Sequence, residues 1–139
     1  GLSTSIACSC GSGAAYAACC GLYLDDGRQP TTAEALMRSR YVGYALARKE
    51  YLLRTWHVST RPETLDLNDV EPVRWLGLKI VRTEAGGPDD ARGVVEFVAR
   101  YKIGGKAHRL HEISRFVRES GQWFYLDGTP DATDKPGRK

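Results

Sequence analysis

All four cysteines of the chain fall within thirteen consecutive positions, in "CSCGSGAAYAACCG" at residues 8–21, and none occurs elsewhere. The spacing C-x-C-x8-C-C sets Cys8 and Cys10 at one end and Cys19 and Cys20 at the other, with Gly11, Ser12 and Gly13 between them. For both pairs to face one point the loop must double back, and the two glycines permit that because φ > 0 costs them little. Four converging thiolates are the ligand set of a tetrahedral zinc ion, with bonds of about 2.3 Å, and a site closed by four protein ligands keeps no open position for catalysis. Backbone amides of the Gly-Ser-Gly turn can offset the charge on the sulfurs.

Three other readings compete. Two disulfides need an oxidising compartment, and a bond between adjacent Cys19 and Cys20 would be strained. A redox couple usually shows C-x-x-C within a βαβ pattern, which this segment lacks. Inert buried thiols would have only "GAAYAA" nearby as a core. The spacing favours structural zinc on Cys8, Cys10, Cys19 and Cys20.

"CSCGSGAAYAACCG" resembles the SEC-C zinc motif, in its C-x-C, its Gly-Ser-Gly turn, Tyr16 and the closing Cys-Cys. It departs from that motif at Ala14 and Ala15, where relatives usually carry lysine or another bulkier residue. The resemblance therefore extends to the metal ligands but not to a basic contact at those two positions.

The chain has 139 residues, 42% hydrophobic and 27% charged, enough apolar surface for one core. Its formal charge of +3 and pI near 8.7 are mild, and a zinc tetrathiolate would bring it close to neutral. Strong electrostatic binding of nucleic acid is not implied. No apolar run approaches the roughly 20 residues that span a bilayer, so no membrane contact is expected. The opening "GLSTSIACSC" lacks a basic region followed by a long apolar run, so the expected location is cytoplasmic.

Residues 1–23 form the knuckle, and "LDDGRQPTT" reads as a turn-rich linker over 24–30. Thr31 with Glu34 reads as a capping box, and the spacing of Ala33, Leu36, Met37, Tyr41, Tyr44 and Ala45 predicts a helix over about 31–47. A shorter helix is expected over "EYLLRTWH", before two prolines break the pattern. Strands follow near 74–83, 92–103, 106–118 and 122–127. Gly104-Gly105 and Ser120-Gly121 occupy two-residue hairpin positions. These turns set Phe97 opposite Glu112, Ala99 opposite Leu110, Phe116 opposite Tyr125 and Ser114 opposite Asp127. Val95, Phe97, Ala99, Tyr101, Leu110, Phe116, Trp123 and Tyr125 then share the face that meets the helices.

The expected fold is α+β, helices packed on a curved four-stranded antiparallel sheet, with a polar, flexible tail over 129–139. "PTTAEALMRSRYVGYALARKEYLLRTWHVSTRP", "VEFVARY" and "HEISRFVRESGQWFYLDG" resemble the bacterial YchJ family. That family joins a SEC-C knuckle to a cone-shaped domain like that of nuclear transport factor 2. The resemblance implies the cone over 31–128; it implies no activity.

Two sets of residues beside the metal ligands stand out. Glu112, Ser114 and Asp127 are polar on the aromatic face, where a carboxylate must be paired or have its pKa raised. With Trp56, His57, Arg61 and Trp123 they are candidates for a small-ligand or acid/base pocket; alternatively Glu112 bonds structurally to Arg61, a backbone amide or a helix end. The opposite face carries Ile113, Val117, Phe124 and Leu126 beside Arg100, Arg109 and Arg115, with Arg100 directly opposing Arg109. That face could receive the knuckle, the loop at 58–72, or a second copy of the chain. The first functional expectation is therefore a zinc-binding module that meets a protein or nucleic-acid partner, as a monomer or a homodimer. The alternative is a small-ligand carrier or enzyme using the cone pocket around Glu112. No catalytic residue is singled out.

Overall fold

The computed structural model describes residues 7–65 and 73–130. Four strands, β1 (Val73–Ala85), β2 (Arg92–Ile103), β3 (Lys106–Glu119) and β4 (Gln122–Pro130), form one antiparallel sheet in the order β1-β2-β3-β4. The hairpins arise where turn chemistry predicts them. Gly104 and Gly105 have φ of 58° and 81°, and Ser120 and Gly121 have 54° and 78°, the left-handed pair that a type I′ turn requires. From these turns follow Phe97↔Glu112, Ala99↔Leu110, Tyr101↔His108 and Phe116↔Tyr125, as expected.

The register departs from expectation further along β4. A bulge shifts it between Phe116↔Tyr125 and Arg115↔Asp127, with Leu126 the extra residue. Two residues of β4 then span one of β3, so every side chain beyond Leu126 changes face. Asp127 stands opposite Arg115 on the outer face, and Gly128 takes the expected place opposite Ser114. The strand continues through Thr129 and Pro130, two positions expected in the tail; residues 131–139 lie outside the described residues.

Among the described residues three α-helices precede the sheet: α1 (Gly21–Leu24), α2 (Ala33–Ala45) and α3 (Lys49–Arg54). The N-cap of α2 is Thr32 rather than Thr31: its Oγ1 accepts from Ala35 N at 3.0 Å, and Glu34 pairs with Arg38 one turn later. Leu36, Met37 and Tyr41 of α2 pack with Val95, Phe97, Phe116 and Trp123 of the sheet to form the core. The fully buried aromatics and leucines each contribute about 1.5–3 kcal/mol relative to exposure.

Helix α3 ends at Arg54, earlier than expected, because the next residues leave the helix to lie along β4. His57 N donates to Tyr125 O and Tyr125 N to Thr55 O, both at 2.8 Å, in a short parallel bridge centred on Trp56. This covers a strand edge that would otherwise offer unpaired backbone groups. On the opposite edge β1 carries two bulges, at Leu76 and Val81, which leave both side chains exposed and interrupt the edge. The expected loop over 58–72 is described only to residue 65.

Candidate metal centre and cone cavity

The loop at 8–20 doubles back as its glycines suggest. Gly11 and Gly13 have φ of 83° and 89°, and Cys8 N donates to Ala14 O at 2.9 Å, closing the turn. The four Sγ atoms lie within 4.8 Å of one another. Cys10 and Cys19 sulfurs are 3.6 Å apart and those of Cys19 and Cys20 4.0 Å, far beyond the roughly 2.05 Å of a disulfide, and all four cysteines are free. Sulfurs at the corners of a tetrahedron with metal–ligand bonds of about 2.3 Å stand about 3.8 Å apart, so this cluster fits one ion. Ser12 Oγ, 3.1 Å from Cys19 Sγ, is a supporting contact from the turn itself.

The thiol electrostatics agree with a metal-binding arrangement. A hydrogen bond from Cys20, with help from Ser12 and Cys8, pulls Cys10 down to about 4, against the effect of burial. Burial pushes Cys8 up, and the bond to Cys10 pushes Cys20 up. The cluster thus favours a thiolate, and a cation at its centre would favour the others.

Cys8, Cys10 and Cys20 belong to the main core, which comes from the cone rather than from the knuckle's own alanines. Arg38 of α2 donates from Nη1 to Cys10 O at 2.8 Å, with Cys10 Sγ at 3.9 Å. A Cβ on Gly11 would stand 3.1 Å from Leu78 O of β1, so this glycine is required by close approach as well as by φ. The knuckle therefore docks on α2 and β1, not on the outer sheet face where Ile113 and Phe124 lie. The segment 24–30 is also tied down: Leu24 ends α1, and Asp25 accepts from Tyr16 Oη and Arg48 Nη1, both at 2.9 Å.

Within the cone lies a cavity of ≈ 300 Å³. Its walls are mostly apolar and aromatic, with Tyr41, Trp75, Phe97 and Tyr125 prominent, and three polar side chains face it: Arg40, Glu112 and Ser114. Burial raises the Glu112 pKa, and nearby Ser114 opposes this. Space for the carboxyl comes from Gly128, where a Cβ would sit 3.0 Å from Glu112 Cδ and 3.0 Å from Ser114 Oγ. Ser114 Oγ is buried without a hydrogen-bond partner of good geometry. Arg40 is 3% exposed; Nη1 donates to Leu52 O at 2.8 Å and Thr55 Oγ1 at 2.7 Å, and its guanidinium lies 4.5 Å from the Tyr125 ring centroid and 5.0 Å from that of Trp56.

Of the expected pocket residues, Glu112 and Ser114 line the cavity. The others do not. Trp123 is buried in the core and donates from Nε1 to Thr31 O at 3.2 Å. Trp56 stands behind the wall, edge-on to Tyr125 with ring centroids 5.2 Å apart. His57 is drawn to the β4 edge, where Nε2 meets Glu119 at 2.9 Å and Nδ1 meets Ser59 Oγ at 2.7 Å. Arg61 donates to Trp56 O at 2.9 Å rather than to Glu112. Asp127 is carried outward by the bulge and accepts from Arg115 Nε at 2.7 Å, which holds its carboxyl below the usual range. Of the outer arginines, Arg115 pairs with Asp127 and Arg100 stands opposite Arg109, as expected; nearby, Arg82 and His111 both bond Glu96 at 2.7 Å.

The sequence reading missed Arg40 and the aromatic walls Tyr41, Tyr44 and Trp75, and it missed Gly128, which makes room for the Glu112 carboxyl. The signal for Arg40 was present: it falls on the 33, 36, 37, 40, 41 stripe that α2 buries. Gly128 depends on the bulge, for which no local signal stood out.

These features define a class: a cone of helices on an antiparallel sheet, with an internal cavity and a four-cysteine cluster suited to a metal docked against its first long helix. The profile described as "YchJ, middle NTF2-like domain" matches residues 32–128, and the chain belongs to the YchJ family. A UPF0225 protein of Chromobacterium violaceum is 60% identical over 124 residues, covering 88% of this chain and 91% of that one. The solution structure of a SEC-C motif-containing protein from Rhodopseudomonas palustris superposes with a TM-score of 0.76 at 36% identity, over 89% of this chain and 98% of that one. A SEC-C motif-containing protein from Psychrobacter arcticus, solved by crystallography, gives a TM-score of 0.72 at 25% identity, over 97% of this chain and 88% of that one. Among the described residues no helix is long and apolar enough to cross a membrane.

Proposed function

We propose that the protein binds a small molecule in the cone cavity and that its cysteine knuckle is a structural zinc centre. The observation that carries this reading is the chemistry of the cavity walls. Two buried polar side chains, Arg40 and Ser114, and the half-buried Glu112 face an aromatic space of ≈ 300 Å³, at the lower end of the range for ligand sites. The four-thiolate donor set supports zinc, since soft ligands in tetrahedral array suit that ion. It would be held by Cys8, Cys10, Cys19 and Cys20 and would fix the loop that packs against Arg38 and Leu78.

Mass spectrometry of protein purified without denaturation tests the reading. A small molecule released on unfolding is expected, or a hit from a fragment screen followed by NMR, and Glu112→Gln should weaken its retention while unfolding stays cooperative. Protein that carries nothing and binds no fragment refutes it. Elemental analysis should find one zinc per chain.

A second reading, a module for a protein partner, is favoured by one observation: Ile113, Val117, Phe124 and Leu126 remain only half-buried on the outer sheet face, away from the knuckle. Equal partner recovery by intact protein and by a Cys19→Ser, Cys20→Ser variant would exclude a role for the knuckle in that contact. Nucleic-acid binding would have to weaken steeply with salt.

A further inference from the structure

The cavity has a charge that its own walls do not neutralise. Arg40 stays protonated in any protein setting, and no carboxylate among the described residues is bonded to it. Its contacts are the neutral acceptors Leu52 O and Thr55 Oγ1 and the rings of Tyr125 and Trp56, which stabilise a cation but do not balance it. Glu112 is the acid in the same cavity; burial raises its pKa, and no bond joins it to Arg40. An anion is the ligand such a space accepts best, because a buried cation lacking a counter-charge is costly.

Size and wall chemistry narrow the class. The space is about twice the ~150 Å³ engineered cavity that admits benzene, enough for one ring and a short polar arm. Tyr41 and Trp75 meet edge to face with centroids 5.6 Å apart, presenting flat apolar surfaces to that space. Ser114 Oγ, buried and close to the Glu112 carboxyl, and that carboxyl itself offer hydrogen bonds on another wall.

We propose that the cone cavity selects a small ring-bearing carboxylic acid, its carboxylate received by Arg40 and its ring held among Tyr41, Trp75 and Phe97. This rests on the small-ligand reading given above. A bidentate match between guanidinium and carboxylate gives the site its preference for acids over neutral isosteres.

The test uses the metal-loaded full chain. Benzoate, phenylacetate and indole-3-acetate are each titrated against the matching primary amide and followed by amide NMR shifts. At least one acid is expected to bind at least about tenfold more tightly than its amide, with the shifts on α2, β2 and β3. Ala99→Leu fills the cavity from a buried wall position and should abolish binding while unfolding stays cooperative. If acid and amide bind equally and Ala99→Leu abolishes both, the preference for acids is wrong while the cavity reading stands. If none of the six compounds shifts any resonance at millimolar concentration, both readings fail. Binding that survives Ala99→Leu places the ligand elsewhere and overturns the proposal.

Discussion

Arg38 carries the clearest single bond between knuckle and cone, so replacing it measures how tightly the two are joined. Arg38→Met keeps much of the apolar stem and removes the guanidinium. One lost interaction is a charge-assisted bond from Nη1 to Cys10 O at 2.8 Å, worth about 1.5–3 kcal/mol. The other is the pair between Nε and Glu34, whose carboxyl is 43% exposed; an i,i+4 pair of this kind contributes only about 0.3–0.5 kcal/mol. Together they predict a loss of about 2–3.5 kcal/mol. At roughly 4 °C per kcal/mol for a chain of 139 residues, Tm falls by about 8–14 °C. Calorimetry with metal bound reads this loss, and Glu34→Gln is the control, expected to cost no more than about 0.5 kcal/mol. Release of metal to a chromophoric chelator should also quicken in Arg38→Met and not in Glu34→Gln. Both variants melting within about 1 °C of wild type, with equal release rates, would refute the claim that this bond joins knuckle to cone.

Three further outcomes follow from the same contacts. Gly128→Ala puts a methyl 3.0 Å from Glu112 Cδ and Ser114 Oγ, and the resulting overpacking should cost about 1–3 kcal/mol in urea unfolding; a neutral result would mean that the Glu112 carboxyl moves freely. Glu112→Gln should be more stable than wild type near pH 8 and equal to it near pH 4. A carboxyl whose folded pKa is raised stabilises the fold only while protonated, a contribution lost as pH rises through the folded value; a stability difference that does not change with pH would count against this. Stripping metal with a strong chelator should lower Tm and release one ion per chain, because the ligands are part of the core; an unchanged Tm would remove the structural role of the ion.

What the sequence made legible was what local chemistry determines. Gly104-Gly105 and Ser120-Gly121 fix their hairpins through backbone conformations that few residues adopt, and the alternating pattern then orders the inner face as far as Tyr125. The cysteine cluster suited to a metal was equally local, since the C-x-C and Cys-Cys pairs sit either side of a loop that can close on itself. Tertiary competition decided the rest. Thr31 and Thr32 are both competent caps, and the choice between them depends on where α2 meets the sheet. The bulge at Leu126 leaves no local signature, yet it exchanges Asp127 for Gly128 at the cavity and gives Arg115 its partner. His57 and Arg61 lie near the cone in sequence order, but the bridge of Thr55 and His57 to Tyr125 carries them along the outer edge instead.

Helix α2 is the element through which metal centre and cavity bear on each other. Arg38 and Arg40 are two residues apart and so point to different sides of the helix: the first holds the knuckle at Cys10 O, the second ties the cavity wall to Leu52 and Thr55. Met37 and Tyr41, between and beside them, belong to the core shared with Cys8, Cys10 and Cys20 and also line the cavity. A helix of 13 residues gains most of its stability from tertiary packing, so loosening one side should loosen the whole. Removing the metal should therefore raise hydrogen exchange at the amides of residues 36–44 as well as in the knuckle, while the Gly104-Gly105 hairpin tip, which packs on neither, keeps its rate. Exchange that increases only over residues 8–24 would show that the knuckle opens alone and that α2 does not connect the two sites.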